Sequence, residues 1–173
     1  AWWVQTSDQV RIRVAAWGKD APKGTVLLFP GRTEYVEKYA HCATHLADRG
    51  YATISIDWRG QGLADRFLPD RRIGHVGKFT DYQTDIAAML RAAQNLDLPK
   101  PYYLIGHSMG GCIGLRAMQE GLDVKAAAFT GPMWGIKIAP HLVAPAWVLA
   151  HVMPALKLHH ALPPGRNIEP YVM

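Results

Sequence analysis

Gly106-His107-Ser108-Met109-Gly110-Gly111 sets a potential nucleophile, Ser108, among small residues. It follows the apolar run Tyr102-Tyr103-Leu104-Ile105, which reads as a strand, and it precedes a helical pattern ending near Gly121. A serine on so tight a strand-to-helix turn is forced into strained dihedrals, and glycines around it let the backbone and the following helix approach without clashes. The strain presents the hydroxyl outward. The helix that begins there aims its N-terminal dipole and free N–H groups at any oxyanion that develops. The chemistry is nucleophilic attack on an acyl carbonyl, with an acyl-enzyme forming on Ser108. Such a pentapeptide is a weak signal by itself; its place between strand and helix makes it specific.

A second segment, Phe29-Pro30-Gly31-Arg32-Thr33, ends another apolar run and leads into a helical pattern. Where a serine is presented at a strand end, one oxyanion donor is the N–H of the next residue, here Met109. The other comes from the loop after an earlier strand, which places the backbone N–H of Arg32 in that role. The Arg32 side chain either contacts a phosphate or glycerol headgroup or is simply solvated, the ordinary state of a loop arginine.

Both segments need a sheet to position them. Thr25–Phe29, Ala52–Ile56, Tyr102–Ile105 and Val124–Phe129 are short, nearly continuous apolar runs, as expected of parallel strands covered on both faces. Val10–Trp17 instead alternates, with Val10, Ile12, Val14 and Ala16 on one face, and reads as a half-exposed antiparallel edge strand. Helical stripes run over Glu34–Arg49, ended by Gly50, and over Asp81–Asp97, where Thr80 and Gln83 form a capping-box pattern. Strands alternating with helices predict a doubly wound, mostly parallel α/β sheet. After Gly131 the character changes: Pro132, Pro140, Pro145 and Pro154 punctuate a segment rich in Leu, Val, Trp, Met and His. We expect core over 1–135 and, over 136–173, the start of a helical cap or lid; a packed helical hairpin accounts for the second part equally well.

Length and composition set limits. With 173 residues and about half of them hydrophobic, the chain can bury one core. The net charge of +5 comes from scattered basic residues, so no nucleic-acid partner is expected, whereas modest attraction to an anionic lipid interface is. Cys42 and Cys112 lie in apolar helical surroundings and read as buried structural thiols. No ligand-type spacing implies a metal, and no phosphate-binding glycine pattern implies a nucleotide, so no cofactor is expected. No signal peptide or transmembrane stretch is visible, which leaves the compartment open between cytoplasmic and membrane-associated. The first residues, Ala1-Trp2-Trp3-Val4, read like the middle of a protein, and truncation at both ends is expected.

Four motifs in order carry a resemblance: Pro30 to Tyr39, the turn Asp57-Trp58-Arg59-Gly60-Gln61-Gly62, Phe79-Thr80-Asp81-Tyr82, and Gly106 to Gly111. From about Val10 to Gly135 the chain resembles the lysophospholipase and monoacylglycerol lipase family of α/β-hydrolases. The resemblance implies the α/β-hydrolase fold and hydrolysis of a single acyl ester on a glycerol backbone. It implies Ser108 as nucleophile, with the N–H groups of Arg32 and Met109 as oxyanion donors. It puts Asp57 in a structural turn. The family often has His where this chain has Pro30, which leaves the support of that loop to other residues.

A serine at its free pKa needs a His base and a carboxylate to orient that His, in the chain order Ser, acid, His. Downstream of Ser108 the carboxylates are Glu120, Asp123 and Glu169, none after an obvious later strand, and Thr130-Gly131-Pro132-Met133-Trp134 offers none. His141, His151, His159 and His160 all precede any further strand, and His107 is expected to point away from the serine side of the turn as a scaffold or pocket residue. The triad acid and His are therefore expected beyond this sequence, and these residues alone are expected to turn over negligibly. Thioesterase or peptidase chemistry would look the same from this end of the chain. From a different class, a non-catalytic scaffold binding an apolar ligand is the competing reading.

Overall fold

The computed structural model describes residues 1–135 and 139–152. Its core is a six-stranded sheet built from β1 (Trp2–Gln5), β2 (Arg11–Trp17), β3 (Thr25–Phe29), β4 (Ala52–Asp57), β5 (Tyr102–His107) and β6 (Ala127–Thr130), in the order β1-β2-β4-β3-β5-β6. The pairs β4–β3, β3–β5 and β5–β6 are parallel; β1–β2 and β2–β4 are antiparallel. Every residue of β3 and β4 is buried, as their continuous apolar runs require of central strands.

Helices cover both faces. On α3 (Met109–Gln119), Gly114 sits against Leu104 and Phe29, while Leu46 of α1 (Ala40–Ala47) borders Val26, Tyr103 and Ile105. Successive strand residues point to opposite faces, so these two sets separate the helices. α2 (Asp81–Asn95) buries Tyr82, Ile86, Met89 and Ala93. The sheet is thus the doubly wound, mostly parallel α/β arrangement expected.

Four details differ from the sequence reading. β2 is not the edge: β1 pairs outside it, and Arg13 on β2 is buried because Asp57 on β4 neutralises it. The helix expected from Glu34 begins later, as a 3-10 turn Val36–Tyr39 that leads into α1, because residues 31–35 are held as a loop by side-chain acceptors. Thr80 caps nothing with its side chain; its backbone is already helical, and Asp81 accepts the Lys78 N–H instead. Cys42 is exposed and Cys112 half-buried, since α1 buries only its Ala43 stripe.

The chain divides into two compact units, residues 1–136 and 137–173. In the second, α4 (Pro140–Val152) carries Pro145 in its interior and exposes Val143, Trp147, Val148 and Val152. His159 and His160 lie outside the described residues, as does Glu169.

Candidate active site

Ser108 closes β5 and opens α3 with φ 50° and ψ −117°, a left-handed combination that a residue with a Cβ adopts only under constraint. The constraint is visible. The Ser108 N–H donates to the Thr130 carbonyl at 3.0 Å, and the Ser108 carbonyl accepts from the N–H groups of Gly111 and Met133, both at 3.0 Å. Three main-chain bonds therefore pin this strained residue from β6, from α3 and from the segment after β6.

Close approach explains the glycines. A Cβ on Gly110 would lie 2.1 Å from the Phe29 carbonyl oxygen and 2.5 Å from that of Pro30, so only a bare backbone lets the start of α3 press on the end of β3. A Cβ on Gly31 would come within 3.1 Å of the Ser108 Cβ. The loop after β3 and the elbow after β5 are thus in contact at the carboxyl edge of two adjacent parallel strands, with Arg32 the next residue along.

That loop is fastened at four points. The Trp58 indole N–H donates to the Pro30 carbonyl at 3.0 Å, the Gly31 N–H to Glu34 Oε2 at 2.6 Å, the Thr33 N–H to Gln61 Oε1, and the Val36 N–H to Asp57 Oδ1 at 2.9 Å. Among the described residues the Arg32 N–H has no acceptor. Met109 is the first residue of α3, where an N–H has no intrahelical partner. Both residues lie in the two segments that meet at the Ser108 turn.

Glu34 holds the loop together and could not have been singled out from sequence. It is 7% exposed, and its carboxylate also accepts from the Tyr39 hydroxyl and the Lys38 ammonium. Burial works to raise the Glu34 carboxyl, but Lys38, Tyr39 and the Gly31 N–H outweigh it and hold it below the ordinary range; burial, then Glu34, push the Tyr39 phenol up. This cluster supplies the support expected from a His at Pro30. His107 lies half-buried, with Nδ1 2.9 Å from Thr130 Oγ1 of β6 and Nε2 3.8 Å from Glu34 Oε1 of the loop.

Asp57 is buried and fully engaged. It accepts from Arg13 at 2.8 Å, from the Leu63 N–H at 2.9 Å and from the Val36 N–H, while Arg13 also grips Glu37 with both terminal nitrogens. Gly62 (φ 51°) packs so closely that a Cβ would fall 2.2 Å from the Asp57 carboxyl carbon. Asp57 thus organises the turn and the 3-10 entry rather than facing a substrate.

Among the described residues no imidazole or carboxylate bonds the Ser108 hydroxyl, and no group of three His, Cys, Asp or Glu is placed to hold a metal. No helix among them is long and apolar enough to cross a membrane.

A doubly wound sheet with a strained serine between strand and helix at the carboxyl edge of its parallel strands defines the class: an α/β-hydrolase. Residues 20–170 match the family model described as "Serine aminopeptidase, S33", and the chain belongs to that family. It is similar to Lysophospholipase L2 of Escherichia coli K12, 35% identical over 164 residues, which cover 92% of this chain and 48% of the relative. It is 29% identical over 156 residues to the monoacylglycerol lipase of Mycolicibacterium smegmatis, covering 87% of this chain and 54% of that one. Among solved structures, a soluble variant of Saccharomyces cerevisiae monoglyceride lipase with a substrate analogue superposes with TM-score 0.63 at 25% identity, over 88% of this chain and 52% of that one. The chain spans about half the length of these relatives.

Proposed function

We propose that the full-length protein is a serine hydrolase that cleaves the acyl ester of single-chain glycerol lipids through an acyl-enzyme on Ser108. The observation that carries this reading is the Ser108 backbone, held at φ 50° at the end of β5 with Gly31 against it. The Ser108 hydroxyl attacks the ester carbonyl. A general base takes the hydroxyl proton, the N–H groups of Arg32 and Met109 donate hydrogen bonds to the carbonyl oxygen as it becomes negative, and the glycerol leaves as an alcohol with the proton that the protonated base returns. Water hydrolyses the acyl-enzyme in a second, equivalent addition. The base and its orienting carboxylate are groups that the described residues do not bring to Ser108.

The names of the relatives favour a lipid ester over a peptide, although the family's own description is that of a peptidase. Peripheral contact with a lipid surface belongs to the same reading, as does a cap role for residues 136–173; the exposed Trp147, Val148 and Val152 of α4 suit both. The test is release of fatty acid from a lysophospholipid and from a monoacylglycerol by the full-length protein. Turnover of either that disappears in Ser108→Ala supports the proposal. Release that persists in that variant, or none from either ester, contradicts it.

A further inference from the structure

Most arginines of the chain are spoken for. Arg13, Arg59, Arg11, Arg72 and Arg116 pair with carboxylates, and Arg49, Arg66 and Arg91 donate to carbonyl oxygens. Among the described residues Arg32 and Arg71 have neither kind of partner. Both stand on loops that leave the carboxyl ends of β3 and β4, the edge of the sheet that carries Ser108.

The Arg32 guanidinium is exposed, and its Nη2 lies 3.8 Å from where a Cβ on Gly74 would be, so it rests over the Gly60–Gly74 part of the loop after β4. Burial raises the Tyr82 phenol beneath, and the nearby Arg32 cation is the strongest influence opposing that rise. The same loop holds Arg66, whose Nε is buried without a partner. Burial, then repulsion from Arg71, lowers Arg66 from its usual value, with Asp57 opposing. The loops flanking the candidate oxyanion site thus carry more positive charge than their own carboxylates offset. An unpaired guanidinium one residue from Gly31 is placed to meet an anionic group on the molecule being cleaved.

We propose that the Arg32 guanidinium, with Arg71 as a second cation, is the receptor for the phosphodiester of the substrate headgroup, so that the site selects charged lysophospholipids over neutral monoacylglycerols. This rests on the acyl-ester reading above. A glycerol backbone separates the ester carbonyl from the phosphate by only a few bonds, a span one arginine side chain covers. Arg32 then contributes twice, its N–H to the oxyanion and its side chain to headgroup choice.

The test is a selectivity ratio. The full-length protein is assayed on decanoyl lysophosphatidylglycerol and on 1-decanoylglycerol below their aggregation limits, and the two kcat/KM values are divided so that any general loss cancels. The ratio in Arg32→Gln falls about tenfold from wild type, the size of one charge-assisted hydrogen bond, with Arg32→Lys between the two and Arg71→Gln showing a smaller fall in the same direction. The KM for the anionic ester rises with salt in wild type and is flatter in Arg32→Gln. If both esters are cleaved and the ratio does not move in Arg32→Gln, the inference is overturned and the acyl-ester reading stands. If wild type cleaves neither ester, both fall together.

Discussion

Replacing Ser108 by glycine should make the protein more stable while abolishing its proposed chemistry, and alanine should abolish the chemistry without the gain. Ser108 sits at φ 50° and ψ −117°, pinned by three main-chain hydrogen bonds that a substitution leaves in place. A residue with a Cβ in such a region stores about 1–3 kcal/mol. Glycine releases that strain but loses roughly 0.5–1 kcal/mol through its greater freedom in the unfolded chain. The balance is a gain of about 1 kcal/mol, or about 3 °C in Tm for a protein of this size or somewhat larger. Alanine keeps the Cβ and the strain, so Ser108→Ala should stay within about 0.5 kcal/mol of wild type. Thermal unfolding of the three full-length proteins, alongside ester hydrolysis, reads both quantities. A glycine variant no more stable than the alanine variant would refute the claim that this turn holds strain.

Three more outcomes follow from the same geometry. In Gly110→Ala the new methyl meets the Phe29 and Pro30 carbonyl oxygens at 2.1 and 2.5 Å and must move α3 away from β3, so kcat should fall about 100-fold with a smaller change in KM, and wild-type kcat would contradict it. Glu34→Gln puts an amide NH2 where the carboxylate accepted donors from Gly31, Tyr39 and Lys38; kcat should drop about tenfold, measured on both esters, as the loop presenting the Arg32 N–H loosens. Asp85 has its pKa raised from 3.8 to about 6 by burial, against the pull of Arg59, so the folded state holds that proton more tightly than the unfolded chain does. Its favourable contribution is present below about pH 4 and fades as pH rises to about 6; relative to Asp85→Asn, wild type should lose stability over that window, by roughly 3 kcal/mol at most, in urea titrations.

What the sequence made legible, and what it hid, divides along physical lines. The Ser108 elbow is readable because a strand of four apolar residues, two small neighbours and a helical stripe all lie within a few positions of one another. The Arg32 loop is readable for the same reason, since Thr25–Phe29 marks the strand end that it leaves. Glu34 is not: its role comes from the Gly31 N–H, the Tyr39 hydroxyl and, at longer range, His107, meeting only after β3 and β5 pair. Nor is Arg13, which a period-2 pattern puts on the exposed face of β2, whereas Asp57, distant in sequence, buries it. β1 escapes because Trp2–Gln5 is too short to show an alternation, and its exposed Trp2 and Trp3 are covered by Lys19 and Arg11 rather than by a core. The boundaries of the 3-10 turn and α1 depend on which backbone donors Asp57 and Glu34 have already taken, a tertiary fact that no local window contains.

Covalent labelling of the active site reports whether the Ser108 hydroxyl is the attacking group. Full-length protein treated with a fluorophosphonate should acquire a single adduct, located by peptide mass spectrometry on the tryptic fragment containing Ser108, with hydrolysis lost in step with labelling. An adduct on a different residue, or labelling undiminished in Ser108→Ala, would contradict the account.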